Sequence, residues 1–116
     1  MDLKKLNYVR GKIGEKLAVE YLKRNKYKIL EINYANSIGE IDIIAKEHKT
    51  IVFIEVKFRN SANFGLPMES VTAGKQNKIK GVALLYIKEK SLTEEPVRFD
   101  VISILGEEIS HIKNAF

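Results

Sequence analysis

Two acids and a lysine interrupt the strand pattern of GEIDIIAKEHKTIVFIEVKFR, residues 39–59: Asp42, Glu55 and Lys57. Residues of these types are rarely buried unless they are paired. Side chains alternate along a strand, so Glu55 and Lys57 share one face with Ile51 and Phe53, while Val52, Ile54, Val56 and Phe58 share the other. Glu55 and Lys57 then lie roughly 6.5–7 Å apart along the strand. If the EHKT turn closes with Lys46 paired to Ile51, Ala45 faces Val52 and Asp42 faces Glu55. Directly opposed residues hold their Cβ atoms about 4.5–5.5 Å apart, and like charges there are destabilising unless a cation stands between them. Lys57 is one such cation and a divalent metal is another. A one-residue slip would carry Asp42 to the other face.

Helices offer further polar groups. Glu15 precedes Ala18, Val19 and Leu22 by three, four and seven residues, which places it on an apolar side of its helix. Lys75 and Gln76 precede Ile79 by four and three residues and extend the inward stripe of a second helix toward its N-terminus. Carboxylates with few other ligands suit Mg²⁺ or Mn²⁺. Mg²⁺ keeps several waters and takes one or two carboxylates, which leaves positions for a phosphate. Such an ion polarises the phosphoryl oxygen and generates an attacking hydroxide. Lys57 could orient that water, take its proton or stabilise charge on the phosphorane. Plainer roles compete with these: a strand-end ion pair for Glu55 and Lys57, a backbone-amide contact for Asp42, a solvent-reaching edge position for Glu15. The run KQNKIK reads equally as a solvated helix face. Asp100, inside the strand pattern VRFDVISI, points to a structural hydrogen-bonding role, and neither His48 nor His111 has a ligand partner in spacing.

These residues need elements to carry them. Ile13, Leu17, Ala18, Tyr21 and Leu22 recur at helical spacing, which predicts a helix over about 8–25. Strands are predicted over 27–34, 39–46 and 51–59. The polar loop NSANFGLPMES follows, of a kind often functional. A second helix is predicted over about 72–90 with the stripe Ile79, Val82, Ala83, Tyr86, Ile87, and two more strands lie in EPVRFDVISIL and EEISHIK. The order α-β-β-β-α-β-β predicts an α/β fold, a mixed sheet with helices packed on it. The third strand, apolar on both faces, belongs at its centre. Gly11 and Gly14 would let another backbone approach the first helix closely.

Composition narrows the partners. The 116 residues fit one domain. The absence of cysteine excludes disulfides and thiolate chemistry. Nothing in the N-terminal segment resembles a signal peptide and no apolar run is long enough for a membrane span, so a cytoplasmic protein without membrane contact is expected. A net charge of +5 favours an anionic partner, nucleic acid foremost.

The segments GKIGEKLAVEYL, GEIDIIA, IVFIEVKFR, FGLPMESV, KQNKI, RFDVISI and HIKNAF, in this order and spacing, resemble the YraN-like proteins of bacteria. That family is similar to archaeal Holliday-junction resolvases and belongs to the restriction-endonuclease-like fold with its PD-(D/E)xK signature. The resemblance implies a Mg²⁺- or Mn²⁺-dependent nuclease acting on DNA, on branched or damaged structures; a non-catalytic nucleic-acid-binding module on the same fold is the rival. It implies metal ligation by Asp42, Glu55 and Glu15, catalytic roles for these three with Lys57 and Gln76, and nucleic-acid contacts from Arg59, Asn60, Lys75 and Lys78. Ile41 stands where the signature has its proline, and Tyr34 stands where the family pattern carries an arginine. A homodimer is expected by analogy, since cutting two strands symmetrically needs two sites.

Overall fold

Five strands hydrogen-bond side by side in chain order, β1 (Lys28–Ala35), β2 (Glu40–Glu47), β3 (Thr50–Arg59), β4 (Val97–Leu105) and β5 (Glu108–Ile112), in a computed structural model of the chain. The structure describes the backbone of residues 3–59 and 71–116, and the side chains of 11–59 and 71–116. Helix α1 (Leu3–Arg24) precedes the sheet and α2 (Ala73–Glu89) connects β3 to β4. The element order is the one the hydrophobic periodicity predicts. All strand pairs are antiparallel except β3–β4, which is parallel and therefore needs the helical crossover.

β3 is the middle strand and is covered on both faces. Ile51 and Phe53 pack with Ile79, Val82, Ala83 and Tyr86 of α2, whereas Val52 and Ile54 pack with Ala18 and Leu22 of α1. Phe53 anchors the first cluster by an edge contact to Tyr86 at 5.9 Å and a stack on Phe99 at 5.5 Å. Thr72 caps α2 by accepting the Lys75 N–H at 3.2 Å, which satisfies one of the donors a helix start leaves open. α1 stops where Lys26 turns left-handed, and the Tyr27 N–H then reaches back to the Leu22 carbonyl at 2.9 Å.

Four expectations change. α1 begins at Leu3, ahead of the expected start near Tyr8. Ile13 is 49% exposed, so the inward stripe begins instead at Gly14. A Cβ on Gly14 would stand 3.0 Å from the Phe58 ring, so the missing side chain is what lets α1 lie close on β3. Gly11 meets no described atom within 4 Å and has no such role. The hairpin between β2 and β3 also closes more tightly than EHKT suggests, because Glu47 pairs with Thr50 and leaves only His48, at φ +54°, and Lys49 in the turn.

Candidate functional site

The β2–β3 register pairs Lys46 with Ile51, Ala45 with Val52 and Ile43 with Ile54, as the strand parity predicts. The pairing ends at Ile43 and Ile54, and the next residues of the two strands, Asp42 and Glu55, lie close enough for the Glu55 carboxylate to act on Asp42. Asp42 Oδ2 accepts the Val56 N–H at 2.8 Å, so this carboxylate leans on the β3 backbone beside Glu55. The Asp42 carboxyl is pushed up to about 7. Burial is the largest cause, the Glu55 carboxylate adds to it, the Val56 amide opposes it, and Glu15 raises it again.

Glu55 is 9% exposed. Its Oε1 receives two cations: Lys75 Nζ from the first turn of α2 at 2.6 Å, and Lys57 Nζ from its own strand at 3.6 Å. The two ammonium groups diverge. Burial and the neighbouring Lys75 pull Lys57 below the ordinary lysine range against the opposing charge of Glu55. For Lys75 burial acts downward, but hydrogen bonding and the charges of Glu55 and Asp42 outweigh it and carry the group upward. One lysine is thus biased toward its neutral form and the other toward its charged form.

Glu15 reaches this end of the sheet from α1. Its Oε2 accepts the Asn33 amide at 3.1 Å and pairs with Lys12 at 3.7 Å. Asn33 sits inside β1 at φ +53°, a backbone conformation that asparagine tolerates better than most residues. Among the described residues no three His, Asp or Glu side chains approach closely enough to form a ready-made metal cage. The close acidic pair is Asp42 and Glu55, with Glu15 at its margin. Two buried or half-buried carboxylates that repel each other form a donor set that a hard divalent cation relieves, and such an ion completes its shell with water. The residues fit the ion.

The other expected contacts divide. Gln76 Nε2 donates to the Val71 carbonyl at 3.0 Å, which ties it to the base of α2. Lys78 is exposed and lies along Gly39 at the start of β2, its Cγ 3.3 Å from where a Cβ would stand. Arg59 is the last residue of β3, beyond Lys57. Asn60 and the rest of the loop to residue 67 lie outside the described residues.

Two arrangements were not legible in spacing. One is the Asn33–Glu15 bond, whose only sequence signal is an asparagine in a strand. The other is a polar cluster on the α1 side of β4. Asp100 is fully buried and is held there by both prongs of Arg98 at 2.9 Å, by His111 Nε2 at 2.7 Å and by the Asn114 N–H at 2.9 Å. Arg98 also reaches Glu47 and the Tyr27 hydroxyl, and His111 Nδ1 contacts the Tyr21 hydroxyl. These bonds satisfy a structural Asp100 and give His111 partners that its sequence spacing hid.

The sequence profile of the uncharacterised protein family UPF0102 matches residues 14–104, the span that carries Glu15, Asp42, Glu55, Lys57 and Lys75. The chain belongs to that family. UPF0102 comprises the YraN-like proteins and lies in the restriction-endonuclease-like superfamily. A UPF0102 protein of Clostridioides difficile strain 630 is 52% identical over 112 residues, covering 95% of this chain and 98% of its own length. A UPF0102 protein of Thermodesulfovibrio yellowstonii is 56% identical over 106 residues, covering 91% and 94%. One from Persephonella marina is 46% identical over 110 residues and covers 95% of each chain. None of these names carries an activity. Among the described residues of this UPF0102 chain, no helix is long and apolar enough to cross a membrane.

Proposed function

We propose that this protein is a Mg²⁺-dependent nuclease that hydrolyses phosphodiester bonds in DNA, with branched or damaged structures as its substrates. The observation that carries the reading is the apposition of Asp42 and Glu55 at the end of β3, with two lysines of opposite bias on one Glu55 oxygen. A bound Mg²⁺ or Mn²⁺ supplies positive charge to the phosphoryl oxygens and an acidified water.

The protein's own residues do the rest. Asp42 and Glu55 would hold the ion, with Glu15, fixed by Asn33, as a further carboxylate at its margin. Lys57 takes the proton of the attacking water, a role helped by burial and the neighbouring Lys75, which draw its ammonium below the ordinary lysine range. Lys75 remains cationic and meets the charge that builds on the phosphate. Lys78 and Arg59 add contacts to the phosphate backbone, and Gln76 keeps the start of α2 in place. A homodimer would present two such centres to two strands.

Purified protein is expected to cut branched DNA with Mg²⁺ or Mn²⁺, and Asp42→Ala to abolish cutting while leaving the circular dichroism spectrum intact. Undiminished cutting by that variant overturns the reading. A second reading, a nucleic-acid-binding module without cleavage, is favoured by one observation: Lys75 already occupies Glu55 and no three-acid cage is formed among the described residues. That reading expects equal binding in EDTA and in Mg²⁺, with no product from any substrate.

A further inference from the structure

One groove on the molecule is not used by the centre just described, although it opens beside it. It lies between α1 and the edge strand β1, encloses about 420 Å³, and is lined by Lys12, Glu15, Lys16, Val19, Lys23 and Ile32 together with Glu20 and Asn33. Positions 12, 16, 19, 20 and 23 recur at intervals that place them on one side of a helix. Lys16 and Lys23 are exposed, and no ion pair among the described residues engages either of them. From Lys12 to Lys23 the helix advances about 16.5 Å at about 1.5 Å per residue, the length of roughly five nucleotides of a strand at about 3.4 Å each.

The floor is apolar. Val19 is half-buried there, and Ile32 is 49% exposed on a strand whose water side should be polar. The inner end of the groove is the bonded pair Glu15–Asn33, which also borders the carboxylate centre. Glu20 on the wall and Glu15 at the inner end oppose an anion; Glu15 is paired with Lys12, which leaves Lys16 and Lys23 against Glu20.

We infer that this α1–β1 groove holds one single strand of nucleic acid, the flank that leaves the cleavage centre, with Lys16 and Lys23 on its phosphates and Ile32 and Val19 against its sugars and bases. The inference rests on the nucleic-acid reading of the centre and adds where a strand runs and in which form. A cationic track along one helix with an apolar floor is the chemistry of single-strand binding. Among the described residues no aromatic ring lines the groove, so phosphate contacts dominate and the interaction is strongly salt-dependent.

Fluorescence anisotropy in EDTA with three labelled DNAs tests it: a single strand, a duplex with a long overhang, and a blunt duplex. Lys16→Ala with Lys23→Ala is expected to weaken the first two roughly 10–30-fold and to leave the blunt duplex unchanged. The slope of log K against log salt for the single strand should flatten by about 1.4, two contacts at about 0.7 each. A photoreactive benzophenone residue at position 32 should cross-link the overhang. An unchanged slope, or equal losses on overhang and blunt duplex, overturns the groove while leaving the cleavage centre standing. A wild-type protein that binds none of the three DNAs overturns both.

Discussion

Lys75 Nζ stands 2.6 Å from Glu55 Oε1, an ångström closer than Lys57 comes to the same oxygen. The lysine on the neighbouring helix, not the one in the strand motif, is therefore the principal counter-charge of the acid. A cation bound between Asp42 and Glu55 must compete with it, and a phosphate entering the site offers it a new partner. On the proposed reading that ion pair would have to give way when a cation binds.

Lys75→Ala should consequently tighten metal binding in the absence of DNA, by about two- to fivefold for a partly exposed pair, and slow cleavage. Isothermal titration with MgCl₂ and MnCl₂ checks the first part. Weaker metal binding by this variant would show that Lys75 supports the ion instead of displacing it.

If Asp42 holds the metal as proposed, its raised carboxyl makes that binding pH-dependent. Its folded value of about 7 lies above the ordinary value of 3.8, so folding favours the protonated form. Stability from this group is present below about pH 4 and is lost as pH rises to about 7. The metal needs the ionised form. Its affinity should climb up to about tenfold per pH unit below 7 and level off above, with a proton released on binding at pH 6. Calorimetry in two buffers of different ionisation enthalpy measures that proton. Asp42→Asn should remove both the proton release and the loss of stability between pH 4 and 7.

Lys57 is expected to act through its neutral amine. Lys57→Arg keeps the charge but cannot lose its proton at working pH. It should retain DNA binding while the cleavage rate falls by about 10²–10⁴, the usual worth of a positioned base. A rate within a factor of a few of wild type would instead assign Lys57 an electrostatic role.

Asp100→Ala should destabilise the fold by about 3–5 kcal/mol, because it removes the fully buried acceptor shared by Arg98, the buried His111 ring and the Asn114 amide. Burial alone would raise the Asp100 carboxyl, but His111, Arg98 and the Asn114 amide together bring it below its usual range. The sign of the pH effect follows. A depressed folded value contributes stability above about pH 4 that disappears as pH falls through the lower folded value. Urea unfolding from pH 2 to 6 should show a shallower acid loss in Asp100→Asn than in wild type.

Much of this architecture was legible because its signals are local. Strand parity placed Glu55 and Lys57 together, and the apolar count on both faces of residues 51–58 made β3 central. The stripe Ile79, Val82, Ala83, Tyr86 marked the inward side of α2 and, by extension, Lys75. What stayed hidden depends on backbone geometry or on distant elements. Ile13 has the right spacing to be buried, but the close approach of α1 to β3 is made by Gly14 against Phe58, one position away. Asn33 meets Glu15 only because its own φ is positive, which residue type permits but does not dictate. The Arg98–Asp100–His111 cluster requires the β4–β5 pairing together with Tyr21 of α1 and Tyr27 just after it.

The sheet contains two kinds of neighbourhood, and they should form at different times. β1, β2 and β3 meander through tight turns, whereas β4 meets β3 only after α2 has crossed over. Distant parallel pairing carries the larger closure entropy and is the slower event. The transition state for folding should thus be polarised, with higher φ-values for Ile43→Val in the meander than for Ile102→Val in β4. Asp42 and Glu55 then confront each other while the chain is still collapsing, before Lys75 arrives to separate them. A divalent cation in the refolding buffer should accelerate folding and not merely slow unfolding.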